Sequence, residues 1–89
     1  MYTTIFKFKG KTYSAKLVAM LWVEVEEDDY DLYVDVAQHK ALLVKDDKVI
    51  KTKHLESWQQ DILLEEDKTD EEVDKEREVI DSLRKYWEI

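Results

Sequence analysis

The chain has 89 residues and a formal net charge of −8, with no cysteine, no proline and a single glycine. The lack of cysteine excludes disulfides, thiolate metal sites and cysteine nucleophiles. One glycine is too few for the phosphate-binding loops of nucleotide enzymes. Hydrophobic residues make up 44% of the chain, a share too high for a disordered protein. We therefore expect one small acidic α+β domain, 1–89, β-rich over 1–52 and helical over 54–89.

The charges are segregated along the chain. Residues 1–23 carry four lysines and no acid, residues 24–35 carry seven acids and no base, and residues 55–89 carry thirteen acids against five bases. Such asymmetry indicates surfaces of defined sign. The longest uncharged run, Leu17–Val23, is much shorter than the roughly 20 residues of a membrane helix. The N-terminus also lacks a signal-peptide pattern, so we expect a cytoplasmic protein without a membrane partner.

The first predicted element is a β-hairpin with its turn at Gly10-Lys11. Gly10 adopts positive φ at low cost, as such a turn requires. The predicted register places three pairs on one face: Phe8 with Tyr13, Phe6 with Ala15, and Thr4 with Leu17.

The second predicted strand is long, and it keeps one apolar face up to a turn at Asp28-Asp29. That face continues from Tyr13 through Ala19, Leu21, Val23 and Val25. The turn sets Val25 opposite Leu32, Val23 opposite Val34 and Leu21 opposite Val36. The other face carries Val18, Met20 and Trp22, so we expect a helix or the curling sheet to cover it.

Two further strands complete the predicted sheet. A turn near Gln38–Lys40 leads into the apolar segment ALLVK, and Asp46-Asp47 forms the turn before KVIKT. The simplest topology is a five-stranded antiparallel β-meander, flat or curled.

Two helices are predicted after the strands. The first carries Leu55, Trp58, Ile62 and Leu63 on one face. Thr69 and Glu72 form a capping-box pattern that opens the second, whose apolar stripe is Val73, Ile80, Leu83 and Trp87, widened by Val79 and Tyr86. The sequence thus predicts an α+β fold in which the meander packs against two C-terminal helices, the last one amphipathic. The expected core is Phe6, Phe8, Tyr13, Leu17, Leu21, Val23, Leu32, Val34, Leu43, Trp58, Ile62, Ile80, Leu83 and Trp87.

Catalytic and metal-binding patterns are weak in this sequence. An EF-hand starting at Asp29 would need glycine and glutamate where Val34 and Lys40 stand, which leaves only weak calcium binding at residues 26–31 as a minor alternative. His39 and His54 match no zinc spacing. The serines lack the glycine-rich loop that would form an oxyanion hole. We expect no enzymatic activity, no metal and no cofactor.

Direct nucleic-acid binding is also disfavoured. The net charge repels phosphate at long range. Lys7 and Lys9 are predicted on the face opposite Phe6, Phe8 and Tyr13, so basic and stacking groups would not share a surface.

The acidic segments carry the functional prediction. Residues 65–78 hold nine acids against three bases. Glu72/Glu76 and Asp74/Glu78 are like-charge helical pairs roughly 5–6 Å apart, close to the spacing of phosphates along a strand. Tolerated repulsion favours a basic partner. The predicted partner-binding residues are Glu65, Glu66, Asp67, Asp70, Glu71, Glu72, Asp74, Glu76, Glu78, Glu26, Glu27, Asp28, Asp29 and Asp31.

These residues predict a small non-catalytic intracellular protein that inhibits a basic, nucleic-acid-binding enzyme by mimicking nucleic acid. Phage inhibitors of restriction or CRISPR nucleases are similar to this chain in size and charge, and the similarity extends to no motif and no family. The alternative is a structural or oligomeric interaction module, such as a homodimer. Its apolar surface would lie around Trp22 and comprise Val18, Met20, Trp22, Tyr33 and Tyr86.

Overall fold

A computed structural model describes residues 3–89 of the chain. Its elements are β1 (Thr4–Phe8), β2 (Lys11–Val23), β3 (Asp28–Asp35), β4 (Lys40–Lys45), β5 (Lys48–His54), α1 (Ser57–Leu64) and α2 (Asp70–Trp87). The strands pair antiparallel in the order β1-β2-β3-β4-β5. The sheet curls into a half-barrel, and the two helices follow it. The predicted α+β meander with two C-terminal helices is confirmed.

The first hairpin turns one residue earlier than predicted. Lys9 and Gly10 occupy the turn with φ of 51° and 79°, the positive values of a type I′ turn. Phe8 consequently pairs with Lys11, and Phe6 with Tyr13, so the predicted register is wrong by two residues. Because an even shift preserves the alternation of side chains, Phe6 and Tyr13 still lie on the buried face.

The second turn comprises residues 24–27 and not Asp28-Asp29. The Glu27 amide donates to the Glu24 carbonyl at 3.2 Å, and Glu27 has a φ of 51°. Val23 therefore pairs with Asp28, and the predicted partner of Leu32, Val25, is exposed in the turn. Both registers keep apolar residues on one face, so the apolar pattern did not distinguish them and the turn set the pairing.

A β-bulge between Leu17 and Ala19 divides β2 into two halves. One additional residue inverts the alternation, so Tyr13 and Leu21 lie on opposite faces of the sheet. The prediction of one continuous apolar face along β2 is wrong for this reason.

The bulge and the curl create two cores, one on each face of the sheet. The helical core lies between the sheet and the helices: Leu21, Tyr30, Leu32, Val34, Ala41, Leu43, Leu55, Leu63, Val79, Leu83 and Trp87. The hairpin core lies where β1 and β2 fold over the other face: Phe6, Tyr13, Ala15, Leu42, Val44 and Val49. Strand β4 contributes alternate residues to both cores, so both of its faces are buried.

Nine of the fourteen expected core residues are buried: Phe6, Tyr13, Leu21, Val23, Leu32, Val34, Leu43, Leu83 and Trp87. Phe8, Ile62 and Ile80 are half-buried. The prediction is wrong for Leu17 and Trp58, which are 47% and 53% exposed. Leu17 lies beyond Ala15, the residue at which the pairing of β2 with β1 ends, so the first hairpin does not cover it. The Trp58 indole lies at the surface, where it donates to Glu56 Oε2 at 2.6 Å.

The buried face of α2 is formed by Val79, Leu83 and Trp87, spaced four residues apart. Val73, expected on this stripe, is exposed. The helix is anchored at its C-terminal end, where the Lys51 ammonium donates to the Trp87 carbonyl at 2.8 Å. Its N-terminal half therefore presents most of its surface to solvent.

Asp35 joins β2 to the β3–β4 turn at the point where the first hairpin leaves the sheet. Its carboxylate, in a residue only 2% exposed, accepts from the Ser14 amide at 3.0 Å. It also accepts from the amide and the side-chain nitrogen of Gln38 at 3.1 and 3.0 Å. These bonds satisfy a buried carboxylate and fix the direction in which the hairpin folds over.

Candidate functional site

The predicted partner-binding acids of residues 65–78 lie in the loop between the helices and in the first half of α2. Thr69 is the N-cap of α2, and its hydroxyl accepts from the Glu72 amide at 3.3 Å. Glu72 Oε1 in turn accepts from the Thr69 amide at 3.2 Å. The predicted capping box is confirmed, so Glu72 has a structural role.

Glu65 lies against Glu72, a second carboxylate of the same sign. A hydrogen bond between them raises the pKa of Glu65 above its ordinary 4.5. The same bond, together with those from Thr69, lowers the pKa of Glu72. As pH falls, Glu65 therefore takes up a proton before Glu72 does.

Lys68 is the cation held within this acidic region. Its ammonium lies 3.3 Å from Glu76 Oε2, and both side chains are half-buried. Because of this ion pair with Lys68, the charge of Glu76 is balanced within the chain, unlike that of most of its neighbours. A second base, Lys16, lines a recess of about 330 Å³ together with Glu65 and Glu66.

The remaining predicted acids of this region face solvent. Lys75 and Arg77 are also exposed here, so the surface is acidic with two interspersed bases. We call the acidic set the helix-end acids: Glu65, Glu66, Asp67, Asp70, Glu71, Asp74 and Glu78.

The second predicted segment lies at the β2–β3 turn and the start of β3. Glu26 accepts a hydrogen bond from the Tyr30 hydroxyl, and Asp28 is ion-paired with Lys45. The bond from Lys45, followed by that from the Asp29 amide, lowers the pKa of Asp28. Two of the predicted residues are thereby engaged within the chain, which also weakens the calcium alternative.

Glu27 and Asp29 are exposed, and Asp31 is half-buried on the sheet. Glu24, which was not among the predicted binding residues, is exposed beside them. Its position could have been inferred from the same acidic run. We call these four residues the turn acids: Glu24, Glu27, Asp29 and Asp31.

The two acidic groups lie at opposite ends of α2. Arg84, in the last turns of the helix, donates to the Trp22 carbonyl at 2.8 Å, beside the turn acids. Asp70 lies fourteen residues before Arg84, about 21 Å away along the axis. Lys16, near Glu65, is six residues from Trp22 along β2, about 20 Å in extended chain. The helix-end acids and the turn acids are therefore separate surfaces.

The apolar surface proposed around Trp22 is smaller than expected. Met20 and Trp22 are exposed, whereas Tyr33 is half-buried against the hairpin core. The bulge places Val18 against the helical core instead, and Tyr86 lies on α2 beneath Lys53, whose ammonium is 5.1 Å from the ring centroid. Those five residues do not form one surface. Leu17 lies on the Trp22 face in their place, because it pairs with Tyr33.

Basic and aromatic side chains do meet near the first turn. Lys9, Lys11 and Lys40 line a recess of about 210 Å³ with Phe8, Tyr13 and Thr52. The Lys9 ammonium lies 5.2 Å from the Phe8 ring centroid. The expected separation of lysines from aromatics fails here, because Lys9 is in the turn and the hairpin curls over β5.

His39 and His54 lie next to each other, a contact that their spacing along the chain does not predict. Lys40 pairs with His54 in the sheet, and the two imidazole rings stack with centroids 6.1 Å apart. Among residues 3–89, no group of three or more His, Cys, Asp or Glu side chains is arranged to hold a metal ion. No helix in that range has the length and apolar character needed to cross a membrane.

Comparison with protein-family models, with curated proteins and with solved structures finds no match to this chain.

Proposed function

We propose that this protein binds a basic, nucleic-acid-handling partner through the helix-end acids and competes with nucleic acid for the partner's cleft. In this role it is a non-catalytic intracellular inhibitor. The observation that supports the proposal is the set of seven exposed carboxylates at the free end of α2. Because these carboxylates are exposed to solvent, their electrostatic field can attract a basic partner before contact.

The contact between Glu65 and Glu72 adds to this support. Two carboxylates of equal charge in contact cost stability at neutral pH, when both are ionised. A lysine or arginine of a partner placed between them would remove that repulsion.

Several of the chain's bases lie away from this end, although Lys75 and Arg77 are exposed among the helix-end acids. Arg84 and Lys85 lie in the last turn of α2, and Lys9, Lys11 and Lys40 surround the recess near the first hairpin turn. A partner with a basic cleft would be attracted to the helix-end acids and repelled from the lysines of the recess near the first hairpin turn. Such charge segregation orients the encounter and accelerates association.

The test compares two double charge reversals of equal net charge on one helix. Asp74→Lys with Glu78→Lys alters the helix-end acids, and Asp81→Lys with Glu88→Lys alters exposed acids near the other end. Both change the net charge from −8 to −4, since each reversal adds two charges. Residues that hold the fold, such as Glu72 and Glu76, are left intact.

Tagged wild-type protein is used to capture partners from lysate at about 0.05 M and about 0.5 M NaCl, since screening weakens exposed charge contacts. A captured nucleic-acid-binding protein is purified, and the displacement of its labelled DNA by each variant is measured by anisotropy. We expect the first double variant to inhibit at least about fivefold less well than wild type, and the second to inhibit normally. Equal inhibition by both variants, or no basic prey at low salt, would contradict the proposal.

A further inference from the structure

One face of the β2–β3 hairpin exposes apolar side chains that the fold leaves uncovered. Leu17, Met20 and Trp22 are 47%, 67% and 50% exposed. The bulge in β2 places all three on the face that pairs with Tyr33, Asp31 and Asp29. This is the face opposite the helices, and the first hairpin covers only its lower part, at Tyr33.

Carboxylates lie beside Met20 and Trp22, the two most exposed apolar side chains of this face. Met20 pairs directly with Asp31, and Trp22 with Asp29. Directly opposed residues in an antiparallel pair have Cβ atoms about 4.5–5.5 Å apart on the same face. Met20 and Trp22 therefore each have an acid as their immediate cross-strand neighbour, and Glu24 and Glu27 lie in the adjoining turn.

The backbone under this face is fixed. The Arg84 guanidinium donates to the Trp22 carbonyl at 2.8 Å, which joins the strand to α2. At the other end of the face the Tyr33 ring packs edge-on against Phe6, with centroids 4.8 Å apart. A surface held at both ends loses little conformational entropy on binding, which favours affinity.

We propose that this apolar–acidic face binds a basic amphipathic segment of a partner protein. Its apolar side chains would cover Leu17, Met20 and Trp22, while its lysines or arginines would pair with Asp29, Asp31 and the acids of the turn. The inference rests on the proposed function only for the sign of the partner's charge. Charge complementarity selects this occupant over a second copy, since two such faces would bring their own aspartates together.

The experiment uses the full chain and three synthetic 18-residue peptides. One is an amphipathic helix of leucine and lysine, one is its leucine and glutamate counterpart, and one replaces every leucine of the first by serine. Binding is followed by the side-chain indole NMR signals of Trp22, Trp58 and Trp87. Trp87 is buried and Trp58 lies on α1, so only Trp22 reports on the proposed face.

We expect the leucine–lysine peptide to shift the Trp22 indole signal and to leave the other two in place. The serine–lysine peptide should bind at least about tenfold more weakly, because it lacks apolar anchors. Met20→Ser and Trp22→Ser should each weaken binding, and Trp22→Ser should weaken it by at least about tenfold. Binding to these variants is measured by the fluorescence anisotropy of labelled peptide. Ile5→Ser, at an exposed apolar residue of β1, is the matched control and should bind normally.

Three results would overturn the inference. They are an unmoved Trp22 signal, equal binding of the leucine–glutamate peptide, and a salt-insensitive dimer of the wild-type protein that Trp22→Ser abolishes. The last result would assign the face to a second copy. The proposed function is tested separately, because Asp74→Lys with Glu78→Lys leaves this face intact and should not change peptide binding.

Discussion

Among single residues, Glu65 and Glu72 show most directly how this molecule accommodates its negative charge. Glu72 is held by the N-cap residue Thr69, and the loop then brings Glu65 against it. The raised pKa of Glu65 means that its protonated form is favoured in the folded state. The stability from that proton is fully present below the ordinary pKa, and it is lost as pH rises through the raised value.

Glu65→Gln should therefore stabilise the protein at neutral pH. Glutamine keeps a hydrogen-bond donor toward Glu72 without the negative charge. We expect a higher melting temperature than wild type at about pH 7, and a difference that shrinks toward about pH 4, where Glu65 itself is protonated. Thermal melts followed by circular dichroism across this range measure it.

Glu66→Gln is the control, because it removes the same charge from an adjacent exposed residue. Equal melting temperatures for the two variants at every pH would show that net charge, and not the carboxyl contact, is responsible.

At the scale of elements, the turns decide the strand pairing of this sheet. Two turns place both central residues at positive φ, Lys9-Gly10 and Asp46-Asp47. Glycine reaches this conformation freely, whereas other residues pay a steric cost in it. The β4–β5 turn was predicted at Asp46-Asp47, and it is tight although neither residue is glycine.

Replacing Asp46-Asp47 by Asn-Gly should stabilise the protein by about 0.5–1 kcal/mol, since Asn-Gly is the preferred pair of a type I′ turn. Urea denaturation measures the change. Gly10→Ala is the complementary variant, with an expected loss of about 1 kcal/mol. The added methyl group would meet no atom within 4 Å, so the loss would come from backbone strain alone. Destabilisation by Asn-Gly would contradict this account of the turn.

At the scale of the whole molecule, one sheet serves two cores. The helices cover one face, and the first hairpin folds over the other. Asp35 holds the junction, because its buried carboxylate accepts from Ser14 in β2 and from Gln38 in the β3–β4 turn. The helix-end acids and the turn acids of the β2–β3 hairpin lie near opposite ends of α2, which gives the molecule two distinct acidic surfaces.

Asp35→Ala should destabilise the protein by about 1.5–3 kcal/mol, because it removes the charged acceptor of the hydrogen bonds from Ser14 and Gln38. The free energy of unfolding in urea measures the loss. Ser14→Ala keeps the backbone amide that makes the bond, so it should change stability by less than about 0.5 kcal/mol. An Asp35→Ala variant as stable as wild type would show that the hairpin core alone fixes the junction.

The candidate site was partly predictable from sequence. The acidic runs, the capping box and the helix that presents Asp74 and Glu78 follow from local patterns. The neutralisation of Glu76 by Lys68, and of Asp28 by Lys45, does not, because those partners are set by the packing of separate elements. The exposed apolar face depends on the β-bulge in β2, which no local sequence pattern predicted.

The amino-acid sequence by itself determined the α+β class, the number of strands and helices, and most of the core, because side-chain alternation and helical periodicity are local properties. Tertiary structure alone decided the registers, the inversion of side-chain alternation between Leu17 and Ala19, the second core and the separation of the two acidic surfaces. Even register shifts leave the apolar pattern unchanged, so the energies of turns and the contacts of Asp35 and Arg84 must select among them.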